Sequence, residues 1–223
     1  MDFIFMLTNQ DRTVGNCLEV IDSISDLGLR HIGFKDIGVA QPVLAELTKR
    51  IAASGATSYV EVVSTTPESI RASITAAAKL GVDRVLGGQD VDFALQSFNQ
   101  HGPAYYPFPG RPVGHPTQLG GSEDDIEADC RRVREAGCPG ADLLAYRATE
   151  AEPRALIRAA RRGLGDDGYL IVAGSIDTPG RIAEVRDAGA DAFTIGSAIF
   201  ENRFAAGVTG VRGQCEAVLR AIA

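Results

Sequence analysis

The most constraining feature of this sequence is a regular alternation of short β-rich runs with longer runs of helical period. The β-rich runs lie near 2–8, 31–36, 57–64, 84–89, 104–107, 141–147, 168–174 and 191–197. Helical stretches fill the gaps, and the one over 66–80 begins with Thr66 and Pro67, an N-cap residue and a first-turn proline. Eight such pairs predict a (β/α)8 TIM barrel, with residues 1–223 as a single domain.

A weak internal repeat supports this count of strands. A glycine stands two residues before an Asp or Arg ahead of each even-numbered strand, at Gly28, Gly81, Gly140 and Gly189. We interpret these glycines as the residues that end helices. Seven positions after them stand Lys35, Gly88, Arg147 and Gly196. Equivalent segments would place these four residues in one layer that points into the barrel mouth.

The segment IVAGSIDTPGRIAEVRDAGADAFTIGSAIF contains a strand followed by Gly-Ser twice in succession. Gly174 and Ser175 follow strand 7, whereas Gly196 and Ser197 follow strand 8. Glycines at strand ends let backbone N–H groups approach an anion closely, and the adjacent serines add hydroxyl donors. The segment therefore predicts a phosphate site at the carboxyl ends of strands 7 and 8. The alternative is that these glycines only turn the chain.

Residues 168–200 resemble the last two βα units of the phosphate-binding barrels of the ribulose-phosphate-binding type. This superfamily includes the tryptophan synthase α subunit, several sugar-phosphate epimerases, thiamine phosphate synthase and the orotidine-phosphate and keto-gulonate-phosphate decarboxylases. The similarity rests on Gly174-Ser175 and on Gly196-Ser197-Ala198-Ile199, and several of these families share it. It implies a small phosphorylated substrate and matches no single family.

Three ionisable residues are candidates for catalysis: Lys35, Glu61 and Arg147. Strand 3 reads YVEVVS, and alternation turns Glu61 into the barrel if Val60 and Val62 face the helices. Lys35 would then lie beside it on the neighbouring strand. A lysine in a partly dry barrel can act as a base or as a Schiff-base nucleophile, and Arg147 can bind a carboxylate or an enediolate. The alternative is a buried cluster that only ties strands together.

These residues predict an enzyme acting on a small phosphorylated sugar or keto compound, with an aldolase-type lyase that uses Lys35 as the leading interpretation. A phosphosugar isomerase or epimerase, and a non-catalytic phosphometabolite-binding barrel, are the alternatives. The decarboxylases named above carry an Asp before the Lys and another a few residues after it. This sequence does not match, because Gly33 stands before Lys35 and Asp36 follows it directly. Ribulose-phosphate epimerases bind a metal ion with His and Asp residues. This set is also missing, since His31 lies at the amino-terminal end of strand 2, away from the mouth, and His101 ends a helix. We therefore predict no metal and no cofactor.

Residues 107–121, PFPGRPVGHPTQLGG, form the longest irregular stretch between predicted elements. Their Pro and Gly content argues against a helix, and the stretch is long for a connection in a compact barrel. We interpret it as a loop that covers the substrate, with a surface excursion as the alternative. Arg111 and His115 are candidate contributors to the site, and His115 would donate a proton if the loop closes. A lone loop histidine is otherwise a surface residue.

Composition argues against several kinds of partner. A net charge of −7 and a pI near 5.0 leave no basic surface for nucleic acid. No apolar run reaches the roughly 18 residues of a membrane span, and the start of the chain lacks a signal-peptide pattern, so we expect a cytoplasmic protein without a membrane partner. The four cysteines show neither a paired framework nor metal spacing. Barrels of this kind often form homo-oligomers, but the sequence assigns no surface to such an interface.

Overall fold

A computed structural model describes residues 1–64, 66–98 and 102–223. Eight parallel strands form one sheet: β1 (Asp2–Met6), β2 (His31–Lys35), β3 (Thr57–Val62), β4 (Arg84–Gly87), β5 (Ala104–Tyr106), β6 (Gly140–Leu143), β7 (Tyr169–Val172) and β8 (Ala192–Ile195). Their order is β6-β7-β8-β1-β2-β3-β4-β5. The Asp142 N–H donates to the Pro107 carbonyl at 3.0 Å and links the two ends of the sheet. The sheet is a nearly closed barrel, and the predicted (β/α)8 fold is confirmed.

Helices surround the strands. Within the described ranges they are α1 (Cys17–Ile24), α2 (Gln41–Ala53), α3 (Pro67–Leu80), α4 (Val91–Phe98), α5 (Glu123–Glu135), α6 (Pro153–Leu164), α7 (Pro179–Asp187), α8 (Ser197–Phe200) and α9 (Val211–Ile222). Helix α3 begins as predicted, since Thr66 Oγ1 accepts from the Ser69 N–H, and Gly81 ends it with a φ of 71°. None of these helices is long and apolar enough to cross a bilayer.

The strands are buried on both faces, as expected for a parallel sheet that is covered by helices. Outward side chains, among them Val60 and Val62, pack into the layer between sheet and helices. The apolar inward side chains form a separate interior cluster of Ile4, Met6, Tyr59, Leu86, Tyr106, Ile171 and Ala192. Successive side chains of a strand therefore alternate between the two layers, which decides which polar residues face the barrel interior.

Arg84 and three tyrosines fill the amino-terminal end of the barrel. The Arg84 guanidinium lies over the rings of Tyr59, Tyr106 and Tyr169, at 5.3, 5.6 and 5.2 Å from their centroids. It also donates to the Tyr59 hydroxyl at 2.9 Å. His31 Nδ1 lies 2.9 Å from the same hydroxyl. We call this group the basal plug, and it places His31 at the end of the barrel opposite the strands' carboxyl termini.

Three of the four glycines in the repeat follow helices with a left-handed backbone, as predicted, and the fourth does not. Left-handed φ angles of 67°, 71° and 102° occur at Gly28, Gly81 and Gly189. Gly140 instead begins β6, where a Cβ would lie 1.8 Å from the Tyr169 carbonyl oxygen. This glycine permits the close approach of β6 and β7, and Gly137, with a φ of 93°, follows α5 in its place.

The prediction that four equivalent residues share one layer is wrong at two positions. Gly88 turns away from the interior, because a Cβ there would meet Ile70 and Tyr105 on the helix-facing side. Arg147 stands beyond the end of β6, in a 3-10 helix over Ala145–Arg147. The strand predicted over 141–147 ends at Leu143 in the structure. The residues seven positions after the four glycines of the repeat therefore do not occupy equivalent backbone positions.

Two short antiparallel hairpins lie beside the carboxyl ends of the strands. The first hairpin pairs Thr8–Asn9 with Arg12–Thr13 and follows β1 directly. The second hairpin pairs Arg111–Val113 with Gln118–Gly120 and occupies the stretch that was predicted to be irregular.

Candidate functional site

A cavity of about 250 Å³ opens at the carboxyl-terminal end of the barrel. Lys35 and Glu61 line one side of it, and Gly174–Ser175 and Gly196–Ser197 line the other. Pro116, from the second hairpin, also contributes to the lining. The structure thus brings most of the residues that the sequence singled out around one opening.

Lys35 and Glu61 are register partners on β2 and β3. The Lys35 Nζ lies 3.2 Å from Glu61 Oε1, and the two side chains are only 6% and 4% exposed. Glu61 faces inward because Val60 and Val62 on either side of it face the helices. This is the placement that the alternation in strand 3 predicted.

Asp11 is a third member of the site that sequence reasoning missed. It stands at the turn of the first hairpin, where Gln10 and Asp11 both have left-handed backbones, with φ of 48° and 58°. Two successive left-handed residues are typical of a tight two-residue hairpin turn, for which Gly or Asn is the usual signal. The sequence TNQDRT carries no such signal at these two positions, so the turn and its buried carboxylate could not be predicted.

Several donors surround the Asp11 carboxylate. Lys35 Nζ donates to Oδ1 at 2.9 Å, and the Thr117 N–H donates to Oδ2 at 3.3 Å. Arg147 donates from Nη1 and Nη2, at 2.5 and 2.8 Å. Burial alone would raise the pKa of Asp11, but the hydrogen bonds from Arg147 and the charges of Lys35 and Arg147 hold it well below its ordinary value. Asp11 is therefore an anion throughout the neutral pH range.

Arg147 reaches the mouth of the barrel, but its guanidinium is already occupied. Nη1 and Nη2 bond the Asp11 carboxylate, and Nη1 also donates to the Thr117 carbonyl at 3.3 Å. The sequence predicted that Arg147 binds a substrate anion. In the structure it binds Asp11, because its position beyond β6 turns the side chain toward the first hairpin.

Asp142 is the second residue that was missed. It lies on β6 between Ala141 and Leu143, both of which pack into the outer layer, so its side chain faces the barrel interior. Its exposed fraction is 0%. The apolar-acidic-apolar pattern that identified Glu61 is also present here, and the same reasoning applied to strand 6 would have found it.

On the Gly-Ser side of the cavity, the backbone conformation and close contacts explain why glycine is present. Gly174 has a φ of 81°, and Ser175 is left-handed at 56°. A Cβ at Gly196 would lie 2.8 Å from the Thr8 carbonyl oxygen, so this glycine also serves the contact between β8 and the first hairpin. The Ser197 hydroxyl accepts a hydrogen bond from the Gln10 N–H at 3.0 Å.

Two carboxylates and two arginines lie at the rim of this side. Asp177 pairs with Arg181 at 2.9 Å and with Arg203 at 3.0 Å. Glu201 pairs with Arg203 at 2.7 Å. Because the ion pairs neutralise both carboxylates, the rim does not present a net negative charge to an incoming anion.

Two predicted loop contributors lie away from the cavity. Arg111 forms surface ion pairs with Asp125 and Glu150, at 3.2 and 2.8 Å, and His115 is exposed. Neither lines the cavity, because the second hairpin contributes Pro116 to the lining instead, while the Thr117 backbone bonds Asp11 and Arg147. His101 lies outside the described residues. Within the described ranges, no group of three or more His, Cys, Asp or Glu side chains is arranged to hold a metal ion.

Comparison with solved structures shows the fold alone. Orotidine 5'-phosphate decarboxylase from Pyrococcus horikoshii OT3 is similar over 99% of this chain and 98% of its own, with a TM-score of 0.65 and 14% identity. A cube-shaped, highly porous protein cage designed by fusing symmetric oligomeric domains matches 100% of this chain and 73% of its own, with a TM-score of 0.66 and 15% identity. No protein-family model and no curated protein sequence matches the chain. The chain therefore has the (β/α)8 barrel fold that the sequence predicted, without assignment to a single family.

Proposed function

We propose that this chain is an enzyme that moves a proton at the carbon next to the carbonyl of a small phosphorylated sugar or keto compound. The observation that carries the proposal is the position of Lys35. Its ammonium group is bonded by Asp11 at 2.9 Å and by Glu61 at 3.2 Å, and it lines the same cavity as the two Gly-Ser strand ends.

The ion pairs of Lys35 favour an acid or an electrostatic role over a nucleophilic one. A Schiff base requires a free amine, whose lone pair attacks the carbonyl carbon. In the structure the Lys35 ammonium donates to two carboxylates, and an ammonium has no lone pair to offer. In this form Lys35 can donate a hydrogen bond to the substrate carbonyl and stabilise the enediolate that forms. The geometry thus supports an isomerase or epimerase better than the imine-forming lyase.

Glu61 is the group best placed to take the proton. Asp11 is bonded by Lys35, Arg147 and the Thr117 N–H, which makes it a weak base. Among the described residues Glu61 accepts a hydrogen bond only from Lys35, and it lines the cavity. A carboxylate that lines the cavity and accepts from a single donor is able to take a proton from the substrate as a general base. Glu61 as base and Lys35 as electrostatic partner form a complete set for proton transfer.

The Gly-Ser side of the cavity is the proposed position of the phosphate. Backbone N–H groups at 174–175 and 196–198, the hydroxyls of Ser175 and Ser197, and the rim residue Arg203 supply donors there. Gln10 bonds Ser197, and Asp11, the next residue, bonds Lys35. The proposed phosphate position thus lies near Gln10, and the proposed position of the reacting carbon lies near Asp11, the next residue of the first hairpin. The short distance between them and the cavity volume of about 250 Å³ suit a small substrate.

Proton exchange with solvent tests the proposed function. Dihydroxyacetone phosphate, ribulose 5-phosphate and their unphosphorylated counterparts would be incubated with the protein in heavy water and followed by NMR. We expect deuterium at the α carbon of a phosphorylated compound and a fall in rate of about 10²–10⁴-fold in Glu61→Gln. Glu68→Gln, at an exposed position in α3, is the control variant. Binding without exchange would instead identify a non-catalytic phosphometabolite-binding barrel.

Borohydride trapping separates the lyase from the isomerase. Reduction of an imine would attach the substrate to Lys35 irreversibly, and mass spectrometry of the digest would locate it. We expect no adduct with any compound that shows exchange. An adduct at Lys35 would restore the Schiff-base lyase and contradict the acid role given to the ammonium.

Inorganic phosphate tests the binding side by itself. Phosphate should raise the melting temperature of the protein by mass action, and Ser197→Glu should abolish the increase because a carboxylate would occupy the anion position. Ser69→Glu, at a half-buried position in the first turn of α3 and outside the cavity lining, should leave the response unchanged. An equal response in both variants would place the phosphate elsewhere.

A further inference from the structure

Asp142 has no part in the reaction described above, yet its environment is unusual. It is fully buried, and among the described residues neither of its carboxyl oxygens has a hydrogen-bond partner. An ionised carboxylate without donors in a closed interior is strongly disfavoured. A neutral carboxylic acid avoids most of this cost.

The charged groups that act on Asp142 come from three elements. Glu61 on β3 repels its negative form, whereas Lys35 on β2 and Arg147 from the 3-10 helix attract it. The neighbouring strands offer no charge at its level, since its register partner on β7 is Ile171 and β5 supplies the Pro107 carbonyl to its backbone. Burial and the charge of Glu61 outweigh the two cations and raise the pKa of Asp142 well above its ordinary value.

The charges of the cluster balance when Asp142 is neutral. Asp11 and Glu61 then carry two negative charges against the two positive charges of Lys35 and Arg147. Ionised Asp142 would leave one negative charge without a counter-charge in the interior. We propose that Asp142 is a positioning residue that carries a proton in the working enzyme, so that only Asp11 and Glu61 pair with the two cations of the cluster.

This inference rests on the role proposed for Glu61 and adds a condition for it. A second ionised carboxylate beside Glu61 would leave one negative charge in the interior without a counter-charge, and that charge would oppose the negative charge that develops on the substrate as the enediolate forms. The proton on Asp142 keeps this extra charge out of the site. Loss of the Asp142 proton at alkaline pH would therefore slow the reaction without any change in the residues that contact the substrate.

Stability as a function of pH tests the protonation of Asp142 without any substrate. The unfolded chain loses the Asp142 proton near pH 4, while the folded chain keeps it, so this residue lowers stability as the pH rises above about 4. Asp142→Asn removes the titration and retains the shape. We expect the variant to gain unfolding free energy relative to the wild type between about pH 4 and pH 7. A loss that grows with pH would mean an ionised, stabilising Asp142 and would overturn the proposal.

Asp83→Asn is the matched control for Asp142→Asn, and infrared spectroscopy gives a second measurement of the protonation of Asp142. Asp83 Oδ2 accepts hydrogen bonds from the Ser58 N–H and hydroxyl, both at 2.7 Å, so Asp83→Asn should lose stability at neutral pH. Infrared spectroscopy of the wild type labelled with ¹³C-carboxyl aspartate should show a protonated carboxyl band at pH 7. Absence of that band would reject the proposal even if Asp142→Asn failed to fold.

The pH profile of the exchange reaction tests the positioning role. In Asp142→Asn we expect the alkaline limb of the rate profile to move upward by about one pH unit or more, because no third carboxylate ionises. Identical limbs would contradict the positioning role and leave the function of Glu61 standing. Failure of the proposed function would show differently, as absence of exchange in the wild type, and the stability and infrared results would still decide the protonation state.

Discussion

The Asp11 carboxylate and the Arg147 guanidinium form a two-point ion pair although 136 positions separate them in the sequence. The same carboxylate bonds the Lys35 ammonium. Asp11 thus joins the first hairpin to β2 and to the segment after β6. This three-way contact fixes the position of Lys35 at the cavity and makes the ionised state of Asp11 a condition of the site's shape.

Asp11→Asn should destabilise the protein strongly at neutral pH. Removal of one partner from a buried ion pair leaves uncompensated charge, and we expect the unfolding free energy to fall by about 3–5 kcal/mol. Urea denaturation at pH 7 would measure the change. Asp26→Asn, which breaks an exposed ion pair with Arg212, should cost less than about 1 kcal/mol, and equal losses in the two variants would contradict the prediction.

The effect of Asp11 should also depend on pH. Because its pKa is lowered on folding, its contribution is fully present above the ordinary value of about 4 and is lost as the pH falls through the folded value. The difference in stability between the wild type and Asp11→Asn should therefore narrow below about pH 4. Denaturation curves across acidic pH would show this convergence, and a difference that stayed constant below about pH 4 would mean that folding does not lower the pKa of Asp11.

Gln10→Gly should stabilise the protein. The left-handed backbone at Gln10 costs a residue with a side chain about 1–2 kcal/mol, which glycine avoids, although glycine loses more entropy on folding. We expect a net gain of up to about 1 kcal/mol in a thermal or urea titration. Gln41→Gly is the matched control, because the same change at the start of helix α2 should be neutral or destabilising. A loss in Gln10→Gly would mean that its side chain stabilises the turn.

Two buried tyrosines should respond in opposite ways to loss of the hydroxyl. Tyr59→Phe removes the acceptor of the Arg84 hydrogen bond and the partner of His31, and should cost about 1–3 kcal/mol. The Tyr105 hydroxyl is buried without a partner among the described residues, so Tyr105→Phe should be neutral or stabilising. Chemical denaturation of the pair would test both claims, and an equal loss in both would show that Tyr105 has a bound partner.

Gly196→Ala should destabilise the barrel independently of any phosphate. The new Cβ would lie within 2.8 Å of the Thr8 carbonyl oxygen, and such overpacking costs about 1–3 kcal/mol. Gly15→Ala, where no atom lies within 4 Å of an added Cβ, is the control and should change stability little. If both variants were equally stable in thermal unfolding, the close approach of β8 to the first hairpin would not be present in solution.

Period-two and helical patterns were sufficient to predict the barrel and the inward position of Glu61. They failed where a residue's place depends on backbone geometry beyond a strand end. Arg147 was predicted to lie at the end of strand 6, level with Lys35 and Gly196. It lies in the 3-10 helix beyond that strand, and nothing in the sequence marks the end of β6 at Leu143. Its true partner, Asp11, comes from a turn whose left-handed residues are not glycines. Tertiary contacts hold that turn: Asp11 accepts from Lys35, Arg147 and Thr117, and the Gln10 N–H donates to Ser197.

The basal plug closes the barrel beneath the site. Because Arg84 and its tyrosines occupy the amino-terminal end, we expect water to reach the cavity through the mouth that also admits the substrate. Under the proposed function, a bound substrate would obstruct this path to solvent, and a proton taken up by Glu61 would exchange slowly while the complex lasts. Tritium carried on the α carbon should accordingly be returned in part to the product, and the returned fraction would measure how well the bound substrate seals its compartment.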